Sequence, residues 1–416
     1  MKTDVFIQPL AHPLIGLASL MRMAFSGVDL APLGTQLIAR AGTEPRTADA
    51  NALLDLSIVL QLRGERELAL EMQSLALLNQ RLYAPPMQRG LGDRSRAAIR
   101  LLAVMGAGDL MANSPIEFLL EDADVALDIV YVTDELDAFR YFPEHDVLFV
   151  AVAENEQNIP LLNKLSDALA AWPRPVVNDP ARIARLSRDH NCALLKEVTG
   201  VDMPVTVRVG RSVLEQVSRG ERSFAAVLGD GDFPVIVRPV DSHAGHGLDR
   251  LADAAALAEY LSSATQSEFY VSRFVDYRDA DGMFRKYRVM LIAGRPFVAH
   301  MGISAHWMIH YLNAGMAESA EKRDEEARFM AEFDEGFAVR HAAALREINR
   351  RIGLDYFGVD CAETPDGKLL IFEVDSCMIV HAIDPVEVFP YKQPQMRKLF
   401  DAFTAMLSHA MQRAPS

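Results

Sequence analysis

The chain has 416 residues, half of them hydrophobic and 24% charged, with a formal net charge of −15. That length allows two to four domains, each able to bury a core. The acidic balance argues against a general nucleic-acid binder, which would need a basic footprint. No apolar run reaches the roughly 18–20 residues of a membrane span, and the N-terminus lacks the long apolar core of a secretory leader. With Cys192, Cys361 and Cys377 as the only cysteines, no disulfide framework is expected, which fits a reduced, cytoplasmic setting.

Residues 1–95 are expected to be helical. Leu53, Leu56, Leu60, Ala69 and Ala76 recur at helix-compatible spacings, and Gly64 separates two amphipathic runs. Asp49 to Leu82 resembles one tetratricopeptide unit with no clear second copy. Stacked repeats need neighbours to bury their faces, so a small helical domain is the simpler expectation.

Residues 96–180 change character. Ile99–Met105, Leu127–Val132 and Asp146–Val152 are apolar runs separated by helical stretches such as Pro160–Trp172. Strands alternating with helices imply an α/β layer with a largely parallel sheet. Gly106-Ala-Gly108 lacks the third glycine of a dinucleotide loop and reads as a tight strand-to-helix turn. Pro173 to Pro180 forms a boundary, a short strand leading to a helix from about Ala181.

Residues 181–416 mix strands (Pro204–Arg208, Pro234–Arg238, Phe269–Val275, Tyr287–Ile292, Pro296–His300) with helices near Arg211–Ser218, Asp253–Ser262, Phe337–Ile352 and Gln395–Met411. That order fits an α+β unit. The acidic run Glu318–Glu326 is most simply a solvated helix or lid face.

Four segments of this part could carry chemistry. After the strand Pro234–Val237, Arg238 is a charged fork suited to phosphate oxygens, and Ser242-His-Ala-Gly245-His-Gly247 lets backbone N–H groups approach an anion. A plain hairpin turn is the competing account. Thr364-Pro-Asp-Gly-Lys368 is a turn between two apolar runs. Asp360 and Glu373 flank it at similar distances and should face each other across the ladder, while Glu373 and Asp375 share a face. Three carboxylates converging on one patch call for a compensating cation such as magnesium; a solvent-facing acidic strand is the alternative, which the flanking Leu369–Phe372 and Val374 weaken. Lys286 and Arg288 share one face of a strand and could stabilise a transferring phosphoryl group or an acyl phosphate; exposed edge charges are the alternative. The segment Ile303–Tyr311 holds His306, Trp307 and His310. The histidine spacing would suit a metal on a helix, but no adjacent acid completes such a motif; a substrate-pocket wall is the preferred role, with core packing the simpler account of any single residue.

Taken in order from Pro173 to Phe403, these segments resemble the ATP-grasp superfamily of carboxylate–amine ligases, particularly its glutathione-synthetase and ribosomal-glutamate-ligase-like branch. The resemblance implies a small parallel α/β pre-grasp domain followed by a C-terminal ATP-grasp fold. It implies nucleotide contacts from Arg185 or Arg188, from Arg238 where a lysine is usual, from Ser242, His243, Gly245 and Gly247, and from the hinge Val271, Ser272, Arg273 and Phe274. It makes Asp360, Glu373 and Asp375 the magnesium ligands and Arg288, with Lys286, the groups facing the reacting centre. The implied reaction uses ATP and Mg2+ to activate a small-molecule carboxylate as an acyl phosphate, which an amine then attacks; amino-acid or peptide-like substrates are expected, with no nucleic acid or membrane partner and a homodimer as a family-level expectation. A kinase-like phosphotransferase and an inactive nucleotide-binding scaffold are the alternatives.

Overall fold

The structure, a computed structural model, describes residues 13–87, 94–133, 142–229, 231–242 and 245–412. It has the expected mixed class, with helices around one largely parallel sheet and two sheets built mainly from antiparallel pairs. Two compact units are formed: residues 1–184, 354–356 and 376–416 in one, and 185–353 and 357–375 in the other.

The first unit opens with helices Leu17–Phe25, Ala31–Ala41, Ala50–Leu62 and Arg66–Asn79. Asp49 caps the third, its side chain accepting from the backbone N–H groups of Asn51 and Ala52, which satisfies two donors that the helix itself leaves open. Gly64, at φ +83°, makes the turn to the fourth. The amphipathic expectation fails for Ala50–Leu62. Leu53, Leu56 and Val59 are buried, and so are Asn51, Asp55 and Ser57. A helix apolar nearly all round is an interior helix with neighbours on several sides; Ser57 donates to its own helix at Leu54 O, while Asp55 holds another segment. The Asp55 carboxylate accepts from Ile15 N–H at 2.8 Å and Gly16 N–H at 3.1 Å. Glu117, on the short helix Ile116–Leu119, accepts from Leu17 at 3.0 Å and Ala18 at 3.1 Å. Four backbone N–H groups at the start of Leu17–Phe25 are thus held by two buried acids.

The same unit carries β1 (Leu82–Tyr83), β2 (Ile99–Gly106), β3 (Val125–Val132), β4 (Val147–Val150) and β5 (Val176–Val177). They lie in the order β1-β3-β2-β4-β5, parallel except for β1. The central β2 and β4 are almost wholly buried, as expected of parallel strands covered on both faces. The C-terminal helix Lys392–Gln412 belongs here as well, with Phe403 set edge-on to Phe149 and Tyr356.

The second unit contains β6 (Val201–Asp202), β7 (Thr206–Gly210), β8 (Val235–Pro239), β9 (Asp249–Leu251), β10 (Glu268–Arg273), β11 (Phe284–Ile292), β12 (Arg295–Ser304), β13 (Tyr356–Glu363, apart from its first residue, which belongs to the first unit) and β14 (Leu369–Asp375). One sheet runs β7-β10-β8-β9, all antiparallel. Its apolar face, with Val235, Val237, Phe269 and Val271, packs on Leu214 and Val217 of helix Arg211–Ser218 and on Leu257 and Leu261 of helix Ala254–Ser263. The other runs β12-β11-β13-β14-β6. Helix Ala320–Glu332 covers the acidic run, and one of its acids is not solvated: Glu326 is 0% exposed and accepts from Met301 N–H at 3.0 Å and the Tyr311 hydroxyl at 3.1 Å. The helix expected over Phe337–Ile352 breaks at His341, a buried ring bonded to Glu363 at 2.7 Å.

Candidate functional site

The turn at Thr364–Lys368 fixes the register of β13 against β14. Asp360 pairs directly with Glu373 and Gly358 with Asp375, and a bulge follows between Asp360 and Cys361. The two carboxylates therefore face each other as the spacing predicts. What compensates them differs from the expectation of a cation alone. Both Asp360 oxygens are engaged: Arg288 Nε donates to Oδ1 at 2.8 Å, Arg288 Nη2 to Oδ2 at 3.0 Å, and Lys286 Nζ lies 2.7 Å from Oδ2. Lys286 and Arg288 reach one carboxylate because they stand two apart on β11 and so share its face.

Glu373 is paired with Arg188, whose second nitrogen donates to the Phe372 carbonyl at 3.0 Å. Helix Arg188–Leu195 is docked on the same strand by Asn191, which donates to Val374 O at 3.2 Å. Of the two arginines that the sequence leaves open, Arg188 reaches the acids, while Arg185 is exposed on the turn ahead of the helix. Among the described residues, no group of three or more His, Cys, Asp or Glu side chains is arranged to hold a metal ion.

Charge states follow from this packing. Burial alone would raise the Asp360 pKa, but the Arg288 and Lys286 charges overturn that and hold it well below the usual carboxylate range. Glu373 is lowered in the same way, against burial, by Arg188 and then Arg238. Arg238 is pulled down to about 9 by burial and by Arg188, and it stays protonated at neutral pH. Arg188, Arg238, Lys286 and Arg288 outnumber Asp360, Glu373 and Asp375, so the patch has a positive balance and suits an anion.

The loop after β8 is shaped around Arg238. Its guanidinium donates to the Ser242 hydroxyl at 3.2 Å and also to the Ser242 carbonyl. Gly247 sits at φ +66°, and a Cβ there would lie 2.8 Å from the Pro239 ring, so only glycine fits without a shift. The Tyr260 hydroxyl donates to Gly247 O at 2.7 Å, tying the loop to helix Ala254–Ser263. A cavity of about 380 Å³ opens beside it, lined by Asp241, Ser242, His246, Tyr260 and Gln266 among others. Gly245 has φ +78°; His243 lies outside the described residues.

The hinge residues divide. The Val271 side chain is in the core of the smaller sheet. Ser272 pairs in register with Thr206 and Ile236. Arg273 is bound to Asp202 at 2.9 Å. Phe274 donates its N–H to Pro234 O at 3.0 Å and carries the Arg250 guanidinium 4.1 Å above its ring. Tyr260 and Arg250 escaped the sequence reading. Tyr260 looks like any partly exposed residue of an amphipathic helix, and only the fold brings it to the glycine loop.

Residues 305–314 form a loop ending in the single turn Tyr311–Asn313, so His306 and His310 do not share a helix. The loop folds back over β12. A Cβ on Gly302 would meet Ile309 at 2.8 Å and the Tyr311 ring at 3.8 Å, and Tyr311 lies 4.5 Å from the His300 ring. Gly302 and His300 are the register partners of Lys286 and Arg288. Trp307 anchors the loop, its carbonyl accepting from Tyr277 at 2.6 Å and its ring set edge-on to Phe274.

No protein-family pattern matches the chain, and no curated protein matches it in sequence. Solved structures do. The D-alanine–D-alanine ligase of Bacillus anthracis complexed with ATP is similar at 12% identity over 76% of this chain and 99% of its own, with a TM-score of 0.46. The VanG D-Ala:D-Ser ligase of Enterococcus faecalis is 13% identical over 74% and 99%, with a TM-score of 0.47. A RimK domain ATP-grasp protein of Sphaerobacter thermophilus is 16% identical over 74% and 99%, with a TM-score of 0.44.

Proposed function

We propose that this protein is an ATP-dependent carboxylate–amine ligase. The observation that carries the reading is the row of cations in the second unit. Arg188 and Arg238 stand at one end with the glycine loop, and Lys286 and Arg288 stand at the other across the Asp360–Glu373 pair.

Phosphate oxygens of ATP fit the first end, where the Arg188 and Arg238 forks stand beside the glycine loop. A carboxylate acceptor fits the second. It is already ionised at neutral pH and needs neighbouring cations to approach a triphosphate. The acid oxygen attacks the γ-phosphorus, the bond to ADP breaks, and an acyl phosphate forms; an amine then displaces phosphate and leaves an amide. This chemistry depends on positioning and charge neutralisation rather than on a protein nucleophile.

Magnesium is expected with the nucleotide. The oxygen donors of Asp360, Glu373 and Asp375 suit it, and it would neutralise phosphate charge there. Since Arg288 and Lys286 already engage Asp360 and Arg188 engages Glu373, a bare ion would compete with these cations. A phosphate that drew the basic side chains to itself would free carboxylate oxygens for the metal.

ADP release in the presence of magnesium and a mixture of the twenty protein amino acids, followed by product mass, tests the proposal. An amide product is expected. A stable phosphorylated acid with no amide when amines are supplied would make the protein a phosphotransferase instead, and no turnover with any carboxylate would leave the scaffold reading. Glu373→Ala should abolish ADP release; retention of it would overturn the site assignment.

A further inference from the structure

With the acid's carboxylate against Lys286 and Arg288, the strand order fixes where the rest of the acid lies. The sheet runs β12-β11-β13-β14. Glu373 stands on β14, Asp360 opposite it on β13, and Lys286 and Arg288 reach Asp360 from β11. The next strand away from Glu373 is β12, about 5 Å further. Its residues opposite Lys286 and Arg288 are Gly302 and His300, and directly opposed residues of an antiparallel pair share a face. An acid whose reacting oxygen points toward the nucleotide end therefore turns its remaining groups toward β12.

Contacts place the side chains met there. Gly302 leaves a hollow on the strand, and Ile309 and Tyr311 settle over it. A Cβ on Gly302 would lie 2.8 Å from Ile309 Cγ2 and 3.8 Å from the Tyr311 ring. The Tyr311 ring centroid is 4.5 Å from that of His300. The Tyr311 hydroxyl donates to Glu326 at 3.1 Å, and the same carboxylate accepts from Met301 N–H on β12. Ring and hydroxyl are thus fixed beside the residues that oppose Lys286 and Arg288. Ile309 is buried in the hollow, whereas Tyr311 is only partly buried and keeps ring surface for a ligand.

Charge narrows what that surface can meet. Lys286 and Arg288 bring two positive charges and share Asp360, which leaves one to be matched. The substrate's reacting carboxylate matches it. A second carboxylate would exceed the charge that these two side chains supply, and an ammonium group would face both of them. An apolar or aromatic group instead gains by covering the ring.

We propose that Tyr311 is a specificity-determining residue of the acid site, and that the acid carries an uncharged apolar or aromatic side chain that packs on its ring. The assignment rests on the ligase reading above. Hydroxylamine in excess tests it. Its nitrogen attacks the carbonyl carbon of the acyl phosphate, and the C–O bond to phosphate breaks with its electron pair leaving on phosphate. The surplus N–H proton passes to water, and a hydroxamate remains. Each of the twenty protein amino acids is supplied singly with ATP and magnesium, so that one acid is activated at a time.

In the wild type, leucine, methionine and phenylalanine should give hydroxamates at least about tenfold faster than aspartate and glutamate. The phenylalanine-to-aspartate ratio should fall about tenfold in Tyr311→Ala and hold in Tyr311→Phe, which keeps the ring and loses only the hydroxyl. A residue serving the fold alone would slow every acid by the same factor. A wild type that prefers aspartate or glutamate, or a ratio unchanged in Tyr311→Ala, overturns the assignment while hydroxamate formation leaves the ligase reading standing. If no acid gives a hydroxamate, the ligase reading fails and the assignment with it. The wild-type ranking decides the matter even if the alanine variant does not fold.

Discussion

Each unit of the molecule brings a pair of carboxylates together, and the pairs are treated in opposite ways. In the first, Asp55 and Glu117 accept from backbone N–H groups at the start of helix Leu17–Phe25. Burial dominates, raising Asp55 to about 6 and Glu117 to about 7. In the second, Asp360 and Glu373 meet arginine and lysine, and the same burial is overcome so that both are held ionised. Dipoles of N–H groups make an acid tolerable inside a protein; full opposite charges make it permanently anionic. The first arrangement serves folding. The second keeps two paired carboxylates charged within the sheet.

The sharpest way to break this contrast is Asp360→Asn, which keeps shape but removes the carboxylate that Arg288 and Lys286 share. Urea unfolding should show a loss of about 3–5 kcal/mol in the second unit, and a loss under 1 kcal/mol would mean that the pair is not coupled as described. The pH dependence comes next. Asp55 and Glu117 have folded pKa values above their ordinary ones, so their stabilising contribution is complete near pH 4 and is lost as pH rises through about 6 and about 7. Asp360 and Glu373 have lowered values, so theirs is complete above the ordinary carboxylate range and is lost only on further acidification. Raising pH from 5 to 8 should therefore weaken protection of the Leu17 and Ala18 amides by about 2–3 kcal/mol in hydrogen exchange, with the β13–β14 amides unchanged. Asp55→Asn with Glu117→Gln should flatten the first response.

Smaller effects sharpen the same point. Arg238→Met removes one cation facing Glu373 and should weaken nucleotide binding by about 1.5 kcal/mol, roughly tenfold, in a fluorescent-nucleotide titration. Glu326→Gln keeps an acceptor for Met301 N–H and removes the charge, so a melting experiment should register about 1 kcal/mol or less.

Much of this was legible in the sequence because it depends on local periodicity. The Asp360–Glu373 pairing follows from counting out from the Thr364–Lys368 turn, and the shared face of Lys286 and Arg288 follows from a spacing of two. The strands β2, β3 and β4 announce themselves as apolar runs. What periodicity could not convey was which charges meet. Arg288 and Asp360 are 72 positions apart, and Arg188 and Glu373 are 185 apart, so their pairing is a property of the assembled sheet. Helix Ala50–Leu62 misled for a related reason: its Asp55 looks like part of a wet face until the segment before Leu17 is seen to dock there. Glu326 sits in an acidic run whose other members carry no hint that one of them turns inward.

The internal pairing of the site has a consequence for its response to salt. Cations on an open protein surface hold a diffuse cloud of small ions, and a phosphate ligand gains by releasing them, which makes its affinity fall steeply with ionic strength. Here the neutralising partners of Arg188, Lys286 and Arg288 are carboxylates built into the chain, and they cannot diffuse away. In the proposed ligase, nucleotide binding would be an exchange of one anion for another inside the fold, and its affinity should change little between dilute buffer and physiological salt.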